Sequence, residues 1–189
     1  MRRLVLLFWA MAATLLMASG AALAEDIKGT EGPDNLVGTT GDDTIDGREG
    51  GDFILGESAL FAAGGTDTLT GGPGDDEVYG TGGDDEVSGG SGNDEVAGTL
   101  GSDVVYGDEG DDLVDGGAPF DALGDALFGG AGNDVMDAYQ RPAVTDVVIC
   151  GPGTDIVYTD GVDIISSNCE TVVLGPSPDP WDLALLNAL

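Results

Sequence analysis

Histidine is absent from this chain of 189 residues, and its 5 basic residues face 36 acidic ones. The first absence removes the usual zinc ligand and the usual imidazole base. The second leaves a formal net charge of −31, so the chain should repel nucleic acid and anionic lipid headgroups. No HExxH and no GxSxG is present, which removes two common hydrolase signatures. Cysteines number only 2, and without a histidine partner neither suits a nucleophile. No catalytic centre is expected.

Long apolar runs are also missing, with one exception at the start. Arg2 and Arg3 precede an apolar run from Leu4 to about Ala18, and Ala22-Leu23-Ala24 forms a small-x-small cleavage site. This is the layout of a secretory signal peptide over residues 1–24, cleaved before Glu25. The run is shorter than the roughly 20 residues of a spanning helix, so no membrane span remains after cleavage. The expected product is a secreted, extracellular chain of 165 residues with a formal charge of −33. Carboxylates at that density oppose compaction unless cations neutralise them.

What the chain has in abundance is glycine and aspartate, in register. From Gly29 it reads in nines as GTEGPDNLV, GTTGDDTID, GREGGDFIL, and from Gly71 as GGPGDDEVY, GTGGDDEVS, GGSGNDEVA, GTLGSDVVY, GDEGDDLVD. Position six is aspartate throughout: Asp34, Asp43, Asp52, Asp67, Asp76, Asp85, Asp94, Asp103, Asp112, Asp121, Asp134, Asp146, Asp155 and Asp163. Insertions of 6, 4 and 3 residues after Asp52, Asp121 and Asp134 read as loops. Two residues after every aspartate stands an apolar side chain, from Leu36 through Leu123 to Ile165.

Each unit has a physical reading. The first six residues are glycine-rich and suit a tight turn. The last three form a short strand with one side chain inward and two outward. Such a strand is unstable alone, but a stack buries a continuous aliphatic seam. Two turns and two strands make one coil, so units eighteen residues apart should lie above one another, about 4.8 Å apart. Position-six carboxylates then form ladders along both edges. Calcium suits such ladders, because it takes six to eight oxygens from carboxylates and carbonyls.

The pattern resembles the RTX calcium-binding nonapeptide G-G-x-G-x-D-x-U-x over roughly residues 29–165. Position two departs from it, with Thr30, Thr39, Arg48, Thr81, Thr99 and Asp108 in place of glycine. The resemblance implies an all-β, right-handed parallel β-roll solenoid with a C-terminal cap, and several Ca²⁺ ions held between turns i and i+2. One edge would pair Asp67 with Asp85, Asp85 with Asp103 and Asp103 with Asp121; the other, Asp76 with Asp94 and Asp94 with Asp112. Asp34 with Asp52 is a further candidate, and Asp43 belongs to the same set. Carbonyls of Gly72, Gly74, Gly83, Gly90, Gly92, Gly101 and Gly110 would complete the ligands. Pro119 and Phe120 weaken the Asp121 turn, and Arg141 and Val144 weaken the Asp146 turn. Asp42, Asp75, Asp84 and Asp111 at position five, and Glu77, Glu86 and Glu95 at position seven, read as solvated charge.

Residues 25–137 are thus expected to form the calcium roll, and 138–174 a degenerate, metal-poor cap. Cys150 and Cys169 lie 19 residues apart, close to one coil, and an exported chain favours their pairing as a disulfide. Residues 175–180 read as a stiff linker and 181–189 as a short apolar helix over the open end. Folding should be coupled to calcium, with affinities of roughly 10⁻⁴–10⁻³ M as for extracellular modules. Two functions fit: an exported calcium-binding protein, or an adhesion or envelope-associated module that presents the roll to a cell-surface or polysaccharide partner. Phe53 and Phe61 are the aromatic candidates for a glycan contact.

Overall fold

A computed structural model describes residues 24–58, 64–118 and 120–177. The expected signal segment up to Leu23, Phe61, Pro119 and the expected C-terminal helix lie outside the described residues.

Every apolar position-eight residue that the pattern singled out between Leu36 and Val114 lies within a strand, as its second residue. In chain order the strands are β1 (Asp26–Lys28), β2 (Asn35–Val37), β3 (Thr44–Asp46), β4 (Phe53–Leu55), β5 (Thr68–Pro73) and β6 (Glu77–Gly82). They continue as β7 (Glu86–Ser91), β8 (Glu95–Leu100), β9 (Val104–Glu109), β10 (Leu113–Gly117) and β11 (Ala126–Ala131). The last are β12 (Val135–Ala138), β13 (Val147–Ile149), β14 (Ile156–Thr159), β15 (Ile164–Ile165) and β16 (Thr171–Leu174). Odd-numbered strands form one parallel sheet of 8 and even-numbered strands a second. The described chain is therefore an all-β parallel solenoid of about eight coils.

The two sheets close on one another through a single aliphatic seam. Ile45, Leu69, Val87, Val105, Leu127 and Val148 come from one sheet, and Ile54, Val78, Val96, Val114, Met136 and Val157 from the other; all are 0–1% exposed. Burying each such side chain stabilises the stack by roughly 1.5–3 kcal/mol. In uninterrupted coils Val87 pairs with Leu69 and Val105, eighteen residues away on either side. Insertions lengthen the step to 24 between Asp43 and Asp67 and to 22 between Asp112 and Asp134.

Two expectations need correction. The strands were expected to be three residues long, yet β5 to β9 and β11 each span 6. Glycines of one turn pair with those of the next coil, as Gly72 does with Gly90, so the turn carries the ladder onward. The repeat register was also misplaced by four residues at the second insertion. Leu123 is 50% exposed, whereas Leu127 is fully buried and pairs with Val105. Asp125, not Asp121, is the position-six residue of that coil, and the insertion precedes it. Only Asp125 is followed by a glycine pair (Gly129-Gly130) four residues later, and that pair is what the following turn requires.

Residues 147–174 continue both sheets through β13 to β16. A Cys150–Cys169 disulfide, with Cα atoms 5.3 Å apart, staples these coils. Cys150 is fully buried against the seam. Among the described residues, no helix is long and apolar enough to cross a membrane.

Candidate metal centre

The site grows out of the backbone of the turn. Positions two and four both adopt positive φ in the regular turns: +112° at Gly72 and +151° at Gly74, +114° at Gly90 and +141° at Gly92. At position four the coil stacking forbids any side chain, since a Cβ on Gly74 would lie 1.4 Å from the Gly50 carbonyl oxygen. Arg48, Thr81, Thr99 and Asp108 hold position two at φ of 77–88° despite their side chains. These four departures from glycine therefore leave the turn geometry intact, at a strain cost of about 1–2 kcal/mol each, whereas Thr30 and Thr39 are not at positive φ.

On this frame the position-six aspartates stack into two ladders. On one edge, the backbone N–H of Asp67 donates to Asp85 Oδ1, that of Asp85 to Asp103, that of Asp103 to Asp125 and that of Asp125 to Asp146. On the other, Asp52 donates to Asp76, Asp76 to Asp94, Asp94 to Asp112, Asp112 to Asp134 and Asp134 to Asp155. All of these bonds measure 2.7–3.1 Å. The ladder uses one carboxylate oxygen and leaves the other.

That other oxygen has no protein partner. Oδ2 is buried without a hydrogen bond in Asp52, Asp67, Asp76, Asp85, Asp94, Asp103 and Asp112, and again in Asp134, Asp146 and Asp155. These aspartates are only 0–3% exposed. A buried, unpartnered carboxylate oxygen is strongly unfavourable, so buried charges ordinarily pair or coordinate metals.

The orphaned oxygens of Asp52, Asp67, Asp76, Asp85, Asp112 and Asp134 each lie beside a turn glycine and a carbonyl of the neighbouring coil. A methyl on Gly71 would sit 2.5 Å from Asp76 Oδ2 and 2.6 Å from the Gly89 carbonyl oxygen. On Gly107 it would sit 2.6 Å from Asp112 Oδ2 and 2.4 Å from the Gly129 carbonyl. On Gly47 the corresponding distances are 2.4 Å to Asp52 Oδ2 and 2.5 Å to the Gly71 carbonyl. A side chain at position one would therefore collide with a carboxylate oxygen and a carbonyl oxygen, so glycine is what lets these two oxygens lie close together. The donor set is all oxygen, the kind that calcium takes.

Burial shapes the charge of these groups. Desolvation lifts the Asp85 carboxyl to about 8, opposed by its hydrogen bond from the Asp67 backbone and reinforced by Asp103 and Asp67. It lifts Asp94 and Asp103 to about 7, and Asp125 to about 9. Asp67, Asp112 and Asp134 rise to about 6 from the same cause. The ladders are therefore poised to accept positive charge, as protons or as cations.

The candidate residues divide on this geometry. The structure brings together Asp67, Asp85 and Asp103, and likewise Asp52, Asp76, Asp94 and Asp112, as the repeat predicts. Gly72, Gly74, Gly83, Gly90, Gly92, Gly101 and Gly110 all occupy left-handed turn positions beside them. Asp34 bonds Asp52 through the ladder, but its own Oδ2 accepts from the Thr30 backbone and hydroxyl. Asp43 Oδ2 likewise accepts from the Thr39 N–H. These first two turns satisfy their carboxylates internally. Asp121 stands off the ladder, in the insertion loop.

The sequence reading missed several groups. Position-five residues form an outer ladder of their own: Asp75 Oδ1 accepts from Asn93 N–H, Asn93 from Asp111, and Asp111 from Asn133. The recurrence of Asp or Asn at position five was the available signal. Glu57, 1% exposed in the first insertion, accepts N–H groups of Gly65 and Gly82 and the Thr81 hydroxyl. Nothing in the nine-residue pattern marks it, or Gln140, which is 2% exposed beside Asp125.

The model of the RTX calcium-binding nonapeptide repeat matches the chain in 4 copies, over residues 28–58, 61–96, 88–118 and 122–140. Comparison with curated proteins returned no match.

Proposed function

The chain belongs to the RTX calcium-binding nonapeptide repeat family, and from that premise we propose that it is an exported, non-catalytic protein that folds as it binds calcium. Calcium binding in a β-roll follows from the family. The observation that carries the rest is the row of buried Oδ2 atoms without partners, most of them beside a turn glycine and a carbonyl of the neighbouring coil. Asp67, Asp85 and Asp103 would hold ions along one edge, and Asp52, Asp76, Asp94 and Asp112 along the other. Turn carbonyls supply neutral oxygens, while the Oδ1 ladder fixes each carboxylate. Bound calcium contributes the positive charge that these buried carboxylates lack.

The same oxygens support coupled folding. Ten unpartnered carboxylate oxygens oppose closure of the roll, so the free energy of ion binding becomes free energy of folding. Export is supported by the signal-peptide pattern of residues 1–24 and agrees with a disulfide at Cys150–Cys169.

One observation favours a second reading, a scaffold for a cell-surface or polysaccharide partner. The outer face of the odd-numbered sheet becomes apolar toward its end. Tyr106 stacks on Phe128 at 4.8 Å, next to exposed Val147, Ile149 and Ile164. Exposed apolar patches of this kind mark contact surfaces.

Calorimetric calcium titration with parallel circular dichroism tests the main reading. Several ions per chain should bind as β structure appears. A β-rich spectrum in chelator at pH 9, where the carboxylates are ionised, would refute coupled folding. Pull-down of envelope and glycan fractions, with and without calcium, tests the second reading.

A further inference from the structure

The second insertion builds a cluster that the repeat does not contain. In the regular turns, the position-four N–H donates to a position-three carbonyl one coil ahead, as Gly83 does to Leu100 and Gly92 to Glu109. Gly101 has lost that partner to the insertion. Its N–H donates instead to Asp121 Oδ2, at 3.0 Å. A neutral carbonyl has thus been exchanged for a carboxylate, held in place by the N–H groups of Ala122 and Leu123 on Oδ1.

This carboxylate meets two others. Asp103, Asp121 and Asp125 each offer an oxygen, all within 4.8 Å of one another, and the three are 1–5% exposed. Gln140 enters from the third insertion with Nε2 2.9 Å from Asp125 Oδ2. Its Oε1 is buried without a partner, as is Asp103 Oδ2. A methyl on Gly117 would lie 2.8 Å from Gln140 Nε2 and 3.2 Å from both Asp121 Oδ2 and the Thr99 carbonyl. Amide, carboxylate and carbonyl therefore border one small space that glycine leaves open.

Backbone N–H groups and the Gln140 amide hydrogen-bond these three buried carboxylates but bring no positive charge to them. A cation satisfies all of them. Oxygens up to about 4.8 Å apart can share one calcium ion, since each binds it at roughly 2.4 Å. Reversing the Gln140 amide, whose ends are nearly the same shape, would turn its unpartnered oxygen into a fourth ligand.

We propose that Asp121 and Gln140, which lie outside the nonapeptide pattern, join the ladder residues Asp103 and Asp125 in a divalent-cation site created by the insertions before Asp125 and Asp146. It has one more carboxylate than a regular turn site and binds calcium more tightly. Because Asp103 and Asp125 also belong to the ladder, the inference rests in part on the calcium-binding reading above.

Equilibrium dialysis of the full chain against calcium, with ions counted per chain, tests it. Asp121→Asn keeps an oxygen for Gly101 but removes the charge, and should bind one ion fewer. Gln140→Glu adds a carboxylate, and should keep the full count with one site at least tenfold tighter. An unchanged count in D121N overturns the inference. A Q140E chain with no tightened site also overturns it, and this arm decides the matter if D121N does not fold. An unaltered chain that binds no calcium refutes the calcium-binding reading itself.

Discussion

Asp94→Asn should change the sign of its effect on stability with the medium. Asp94 is 3% exposed, its Oδ1 accepts the Asp76 N–H at 2.8 Å, and its Oδ2 has no partner. The asparagine keeps the ladder bond and removes the charge. Desolvation raises this carboxyl from 3.8 to about 7, which at pH 8 penalises the ionised form by about 4 kcal/mol. A buried amide without full partners costs about 1–3 kcal/mol. In chelator the substitution should therefore stabilise the roll by about 1–3 kcal/mol.

In calcium the reverse holds. Asp94 faces both Asp76 and Asp112 along its edge, so two sites lose a charged ligand. A tenfold loss at each costs about 3 kcal/mol in all at saturating calcium. The assay is far-ultraviolet circular dichroism at pH 8, with trimethylamine N-oxide driving folding in chelator and urea opposing it in calcium. D94N should need less osmolyte than the unaltered chain, and also less urea. A gain in stability in both media, or a loss in both, would refute the reasoning.

Other outcomes follow from the same structure. Because burial raises the folded carboxyls of Asp94, Asp103 and Asp146 to about 7, Asp85 to about 8 and Asp125 to about 9, their contribution in chelator is fully present below about pH 4 and lost as pH rises through 7 to 9. Dichroism in chelator should show more β structure at pH 5 than at pH 9. Gly90→Ala places a methyl 2.2 Å from the Gly72 carbonyl oxygen at a φ of +114°, and should destabilise the calcium-loaded roll by about 2 kcal/mol or more in urea unfolding. Val105→Ala opens a cavity in the fully buried seam and should cost about 2 kcal/mol in the same assay. Reducing Cys150–Cys169, which closes a loop of 19 residues' separation, should cost about 3 kcal/mol, seen first as faster hydrogen exchange in β13 to β16.

The seam and the two ladders were legible because each depends on one residue type at one spacing. An inward apolar side chain after each aspartate and a carboxylate at each turn specify the coil without reference to distant residues. The register slip arose where that locality fails. Asp121 and Asp125 are each followed two residues later by leucine, and choosing between them required the glycine pair beyond. Also hidden was the difference between turns of like sequence. Thr39 turns its N–H onto Asp43 while Thr81 holds a φ of +81°, and no residue type distinguishes the two. Glu57 and Gln140 were invisible for a related reason, since insertions carry no repeat and their partners lie in other coils.

The most direct measurement is anomalous diffraction from crystals of the full chain grown in calcium. Peaks should lie against the Oδ2 atoms of Asp76, Asp85, Asp94, Asp103 and Asp112, between each carboxylate and the facing turn carbonyl. A map with these positions empty at saturating calcium would contradict the assignment of the ladders as the calcium sites.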